Sequence, residues 1–151
     1  MNKGKIIWCL RQKKGIEITE TKPHLAELYI KEAEETLENV RTTKGKWKVI
    51  TAYYSCYNAL YSILMKSGIK CEIHDCTIEL MGLFGFEDKE VKYLKKLKED
   101  RLKTQYYLEN IRLKNEGAVG EFVSKCKIIL SSLNSQKIEQ IRKELKGAKH
   151  E

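Results

Sequence analysis

The stretch Trp47-Lys48-Val49-Ile50-Thr51-Ala52-Tyr53-Tyr54-Ser55-Cys56-Tyr57-Asn58-Ala59-Leu60-Tyr61-Ser62-Ile63-Leu64-Met65-Lys66-Ser67 decides the fold. Trp47, Ile50, Tyr53, Tyr54, Tyr57, Leu60, Tyr61 and Leu64 recur at spacings of three and four, which predicts a helix. Ala52, Cys56, Ala59 and Ile63 widen the apolar surface beyond one stripe, so this helix must be covered on several sides. Ser67-Gly68 supplies its stop, and the polar link from Thr42 to Lys46, containing Gly45, precedes it. A helix buried on several sides needs other helices around it, and the expectation is an all-α domain with residues 47–67 at its centre.

Working outward, Thr21 is placed to cap a helix that Pro23 starts, with Leu25, Leu28, Tyr29, Ala33, Leu37 and Val40 on its apolar face and its end near Arg41. After the central helix, Asp75 is placed to cap a short helix through Phe84, which Gly82 weakens and Gly85 ends. Asp88 is placed to cap a longer one, in which Val91, Leu94, Leu97, Leu102, Leu108 and Ile111 mark an apolar arc among many lysines, ending near Asn115-Glu116-Gly117. Val119, Phe122, Val123, Cys126, Ile129, Leu130 and Leu133 give a further helical stripe. Asn134-Ser135 then caps a last amphipathic segment with Ile138, Ile141 and Leu145. Between Lys5 and Thr19, two short apolar runs flank the polar turn Arg11 to Gly15, which reads as a hairpin or an irregular arm. The whole is an up-and-down bundle of four to five main helices with that N-terminal arm. It forms a single domain over residues 1–151, with its core in 21–133 and a basic C-terminal helix and tail in 134–151.

Composition fits this reading. The 151 residues are 42% hydrophobic and 33% charged, with Pro23 the one proline, a globular balance that suits long uninterrupted helices. The N-terminus has the charge of a signal peptide but too short an apolar run, and no stretch approaches the ~20 apolar residues of a membrane span, so a cytoplasmic protein without membrane contact is expected. Five cysteines is an odd number, and Cys56 and Cys126 lie in helical stripes as small hydrophobes, which points to a reducing compartment. The net charge of +8 permits a polyanionic partner without identifying one.

Four groups of residues are candidates for chemistry. Tyr53, Tyr57 and Tyr61 share one stripe, with Tyr54 adjacent; aromatic rings can stack on bases, but the apolar neighbours favour core or dimer packing. Cys71, His74 and Cys76 could ligate zinc, yet their spacing departs from a cysteine knuckle and no second ligand pair follows, so no metal is assigned and His74 is read as packing at the start of the short helix. Arg101 is the most informative residue, because on a straight helix it shares the sector of Leu94, Leu97 and Leu108 rather than that of the lysines. An arginine there pairs with an acid such as Asp100 or Glu99, snorkels to water, lines a polar cleft, or faces a partner and recognises phosphate. His24 and His150 read as solvated polar residues. No serine-histidine-acid set, glycine-rich phosphate loop or paired-carboxylate motif is found, and no cofactor is implied.

Ala52-Tyr53-Tyr54-Ser55-Cys56-Tyr57-Asn58-Ala59-Leu60, the Gly68 stop, His74 before Thr77-Ile78, and Arg101 with Tyr106 together resemble the HEPN family of prokaryotes. Trp8-Cys9, Lys14-Gly15-Ile16 and Leu28-Tyr29-Ile30-Lys31-Glu32-Ala33-Glu34 resemble the opening of archaeal-type members. The resemblance covers residues 8–109 and implies a helical bundle that dimerises about a two-fold axis. Many members accompany a minimal nucleotidyltransferase as half of a toxin–antitoxin pair, and Arg101 on the apolar arc with the basic balance makes RNA or a nucleotide the expected ligand. Other members of the family are metal-independent ribonucleases, in which an arginine is followed after four to six residues by a histidine and two protomers share the cleft. The arginine would here be Arg101, but Leu102-Lys103-Thr104-Gln105-Tyr106-Tyr107 contains no histidine. Tyr106, as a free tyrosine with a pKa of about 10, is a poor resting base. Arg101 with Lys103 and Tyr107 as binding residues is therefore the leading expectation, with catalysis by Arg101 and Tyr106 across a dimer, or a non-catalytic interaction module, as the alternatives. Positions five apart on an ideal helix differ by about 140° in azimuth, so Arg101 and Tyr106 need a bend or a second protomer to meet.

Overall fold

The computed structural model describes residues 2–151, which form seven α-helices and one two-stranded sheet. The order is α1 (Lys3–Arg11), β1 (Glu17–Ile18), α2 (Pro23–Thr42), α3 (Lys46–Ser67), β2 (Ile69–Lys70), α4 (His74–Glu79), a 3₁₀ turn (Leu80–Phe84), α5 (Asp88–Tyr106), α6 (Glu116–Ser132) and α7 (Ser135–Lys149). This is the all-α bundle expected from residues 47–67. Among the described residues no helix is long and apolar enough to cross a membrane.

α3 is the axis of the bundle, with α2, α5 and α6 packed against it. Tyr53, Leu60, Ile63 and Leu64 are sealed, and each such side chain contributes roughly 1.5–3 kcal/mol by leaving water. The stripe Lys48, Thr51, Tyr54, Asn58 and Tyr61 is half-buried, and on the buried faces polar groups depend on internal partners. Where α2 crosses, the Ser55 hydroxyl accordingly donates to the Ala33 carbonyl at 2.8 Å.

Gly68 ends α3 in the left-handed conformation at φ 70°, its N–H directed at the carbonyls of Leu64 and Met65. Arg142 of α7 completes that end. Its Nη1 donates to the carbonyl oxygens of Thr19, Gly68 and Ser67 at 2.7, 2.9 and 3.2 Å, satisfying acceptors that a helix terminus leaves open. One guanidinium thus ties α7 to the end of α3 and to the strand region before α2.

Several local expectations are corrected. The N-terminal arm is a helix rather than a hairpin: the Asn2 side chain accepts from the Lys5 N–H at 3.1 Å, and Ile6, Cys9 and Leu10 fall on one buried face against α4 and α7. Only Glu17–Ile18 is extended, and it pairs antiparallel with β2, Glu17 opposite Lys70 and Ile18 opposite Ile69. A five-residue apolar run is too short for its period to choose between helix and strand, and burial chose. That helix also brings Cys9 to Cys76, and the two form a disulfide, which runs against the expected reducing compartment, while Cys56, Cys71 and Cys126 are free and buried.

α5 ends at Tyr106, short of the expected end near Asn115. The buried Thr104 hydroxyl donates to the Glu109 carbonyl at 2.9 Å, and the Glu109 N–H returns to the Lys103 carbonyl at 3.1 Å, so the chain folds back. Leu108 takes a φ of 55° and is exposed. Caps differ as well: Glu87 and Glu90 form a capping box in place of an Asp88 cap, and Thr21 does not cap α2, whose N-cap is Lys22. Asp75 lies inside the first turn of α4 and pairs with Lys98 at 2.8 Å. Asn134 caps α7 as expected, accepting from the Lys137 N–H.

Candidate functional site

The tyrosine stripe of α3 is core, but its hydroxyls are not idle. Tyr53, Tyr57 and Tyr61 stack in succession with ring centroids 5.8 and 6.0 Å apart, as four-residue spacing on a helix allows. Each hydroxyl grips the segment that enters α4. The Tyr61 hydroxyl accepts from the Cys71 N–H at 3.2 Å, Tyr57 donates to Thr77 Oγ1 at 3.1 Å, and the Tyr53 hydroxyl lies 2.8 Å from His74 Nδ1. His74 also stacks on the Tyr57 ring at 4.0 Å and 14°. Tyr53 and Tyr57 therefore fix the first residue of α4 in place, and Tyr61 holds the chain just ahead of it.

Arg101 arrives on the same aromatic group from α5. It is 7% exposed, among buried Leu94, Leu97 and Thr104. Its guanidinium carbon sits 4.7 Å from the Tyr53 ring centre and 5.4 Å from that of Tyr54, and Nη1 donates to the Tyr54 hydroxyl at 2.9 Å. Gln105 Oε1 is 3.5 Å away. Nε is sealed from solvent without a partner.

None of the ion pairs among the described residues involves Arg101: Asp100 pairs with Lys96, and Asp75 with Lys98. The acid-paired alternative is therefore not the one adopted. Arginine stays charged in proteins, and a buried charge without a counter-charge costs several kcal/mol. Two cation–π contacts offset that by about 0.5–2 kcal/mol each.

Electrostatics follow from this crowding of cations and aromatic rings. Burial, then the charges of Arg101 and Lys98, hold the His74 pKa below its ordinary value. Burial pushes the hydroxyls of Tyr53 and Tyr57 far above theirs, and likewise raises the Cys71 thiol. The hydrogen bond from Lys98 holds Asp75 low. The Asp75–Lys98 pair lines an open cleft of about 460 Å³ with Asn2, Lys5, Glu79, Lys95 and Glu99, a cleft that neither Arg101 nor His74 lines.

Of the residues singled out from sequence, the structure brings Arg101 together with Tyr53, Tyr54 and Gln105, and through Tyr53 with His74. Lys103 lies half-buried along α5, while Tyr106 and Tyr107 are exposed at its end. Arg101 makes no hydrogen bond to any of these three among the described residues, where its partners are Tyr54 and Gln105. The zinc candidates do not form a ligand set, because Cys76 is bonded to Cys9 and His74 Nδ1 faces Tyr53. Sequence reasoning missed the neighbourhood of His74 and Arg101. His74 packs at the start of α4 as expected, while the Tyr53 ring it shares with Arg101 leaves no signal in any local spacing.

No family model matches the chain, and no curated protein matches its sequence.

Proposed function

We propose that this chain is a HEPN-type protein that binds RNA or a nucleotide through Arg101. It acts in the cytoplasm as a homodimer and as half of a toxin–antitoxin-type pair with a nucleotidyltransferase-like protein. The observation that carries the reading is the Arg101 guanidinium, 7% exposed and without a carboxylate partner. A planar fork of donors in a low-dielectric setting suits a phosphate, and the net charge of +8 suits a polyanion. Tyr106, Tyr107 and Leu108, exposed together at the end of α5, support docking of a second copy there.

Binding of a short RNA and of mononucleotides by wild type and Arg101→Ala tests the site. Weakened binding with an unchanged circular dichroism spectrum supports it, and equal affinity sinks it. RNA cleavage in EDTA that vanishes in the variant would replace the binding reading with a metal-independent endoribonuclease. A nucleotidyltransferase reading frame beside this one, and co-purification of its product, tests the pairing.

A further inference from the structure

Two nitrogens of the aromatic cluster are left over once the internal hydrogen bonds are assigned. Arg101 spends Nη1 on Tyr54 and Gln105 and has Nε sealed, which leaves Nη2. His74 directs Nδ1 at the Tyr53 hydroxyl, which leaves Nε2. Among the described residues neither Nη2 nor Nε2 has a protein partner, and neither is among the sealed orphan atoms. Both side chains are fixed by the same ring, Arg101 over the face of Tyr53 and His74 on its hydroxyl.

We infer that the ligand's phosphate is shared by Arg101 Nη2 and His74 Nε2, and that His74 takes up a proton as the phosphate binds. This rests on phosphate recognition at Arg101 and adds a second donor and a linked proton to it. The Tyr53 hydroxyl donates to neutral Nδ1 and accepts from Nδ1–H once the ring is charged, so it serves both states without moving heavy atoms. Nε2–H faces the ligand in either state. Only the charge behind it changes.

The surrounding groups leave His74 as the one that changes charge near neutrality. On α3, Tyr53 and Tyr57 stay protonated because burial raises them. Cys71, ahead of α4, is raised in the same way, and Asp75 stays ionised under the Lys98 hydrogen bond. From α5 the facing groups are the Arg101 guanidinium and the Lys98 ammonium, and burial together with these two charges disfavours the imidazolium until an anion offsets them.

The test is binding of an oligouridylate without terminal phosphates, whose phosphodiesters and bases do not titrate between pH 5.5 and 8, followed by fluorescence anisotropy at fixed ionic strength. Wild-type affinity should rise on acidification by about ten-fold for each unit by which the phosphate raises the His74 pKa. The rise should vanish in His74→Gln and persist in His24→Gln and His150→Gln. As a check that needs no variant, NMR titration of the His74 ring should show its pKa raised by the oligonucleotide. A pH-flat affinity that is still lost in Arg101→Met, a pH dependence that survives His74→Gln, or an unmoved His74 titration overturns this inference and leaves the Arg101 reading standing. Absence of wild-type binding at every pH overturns both.

Discussion

The Tyr53 hydroxyl on α3 and Nδ1 of His74, the first residue of α4, are 2.8 Å apart. That contact joins the buried spine of the bundle to α4 through the same Tyr53 ring that Arg101 covers, and the burial of His74 makes folding sensitive to protonation. The His74 pKa lies below its ordinary value of 6.5 in the folded chain, so the unfolded chain binds the proton more tightly.

Without ligand, stability should therefore be complete above pH 6.5 and fall as the pH drops from there toward the folded-state value. Urea unfolding at pH 7.5 and 5.5 measures this, and His74→Gln should lose less stability over the interval than wild type. An equal loss in both proteins would assign the acid sensitivity elsewhere. Ligand binding is expected to have the opposite pH dependence, tightening where the free fold weakens.

The disulfide between Cys9 and Cys76 spans 67 positions of sequence. Closing a loop of that length stabilises by roughly 4 kcal/mol in the chain-entropy account. The Cys9→Ala/Cys76→Ala protein should unfold at correspondingly lower urea, with little change in its native spectrum. Thiol counting in denaturant should find Cys56, Cys71 and Cys126 before reduction and all five cysteines after it. Five before reduction would rule the bond out.

Gly68 and Gly85 both have positive φ, at 70° and 88°, but only Gly68 is hemmed in. A Cβ at Gly68 would run into Arg142 Nη1 and the Thr19 carbonyl, whereas at Gly85 nothing lies within 4 Å. Gly85→Ala should cost about 1–2 kcal/mol from the backbone alone, and Gly68→Ala roughly 2–4 kcal/mol. Thermal or urea unfolding of the two variants compares them directly, and equal costs would contradict the clamp that Arg142 makes.

The period of residues 47–67 made the bundle and its buried tyrosine helix legible, because a long apolar pattern on several faces has few other solutions. Arg101 was legible as an inward-facing residue for the same reason, since Leu94 and Leu97 share its sector and are buried with it. What it touches was not. Tyr54 is 47 positions away in sequence, and His74 shares only the Tyr53 ring with it, so no local window contains the cluster. The fold-back after Tyr106 was hidden because Leu108 and Ile111 continue the apolar spacing, while the Thr104 hydroxyl bonds the Glu109 carbonyl and ends the helix. The Cys9–Cys76 pair was hidden behind an odd count.

The most direct test of the central claim is a paired measurement on Arg101→Met, affinity for a short RNA beside stability in urea. Methionine fills a similar space without a buried charge. Unliganded stability should hold or rise by about 1–4 kcal/mol, since replacing a buried charge by a well-packed apolar side chain is often neutral or favourable, while affinity falls at least about ten-fold, the loss of one charge-assisted phosphate contact. Unchanged affinity, or a variant that loses several kcal/mol of stability, would show that Arg101 serves the fold rather than a phosphate.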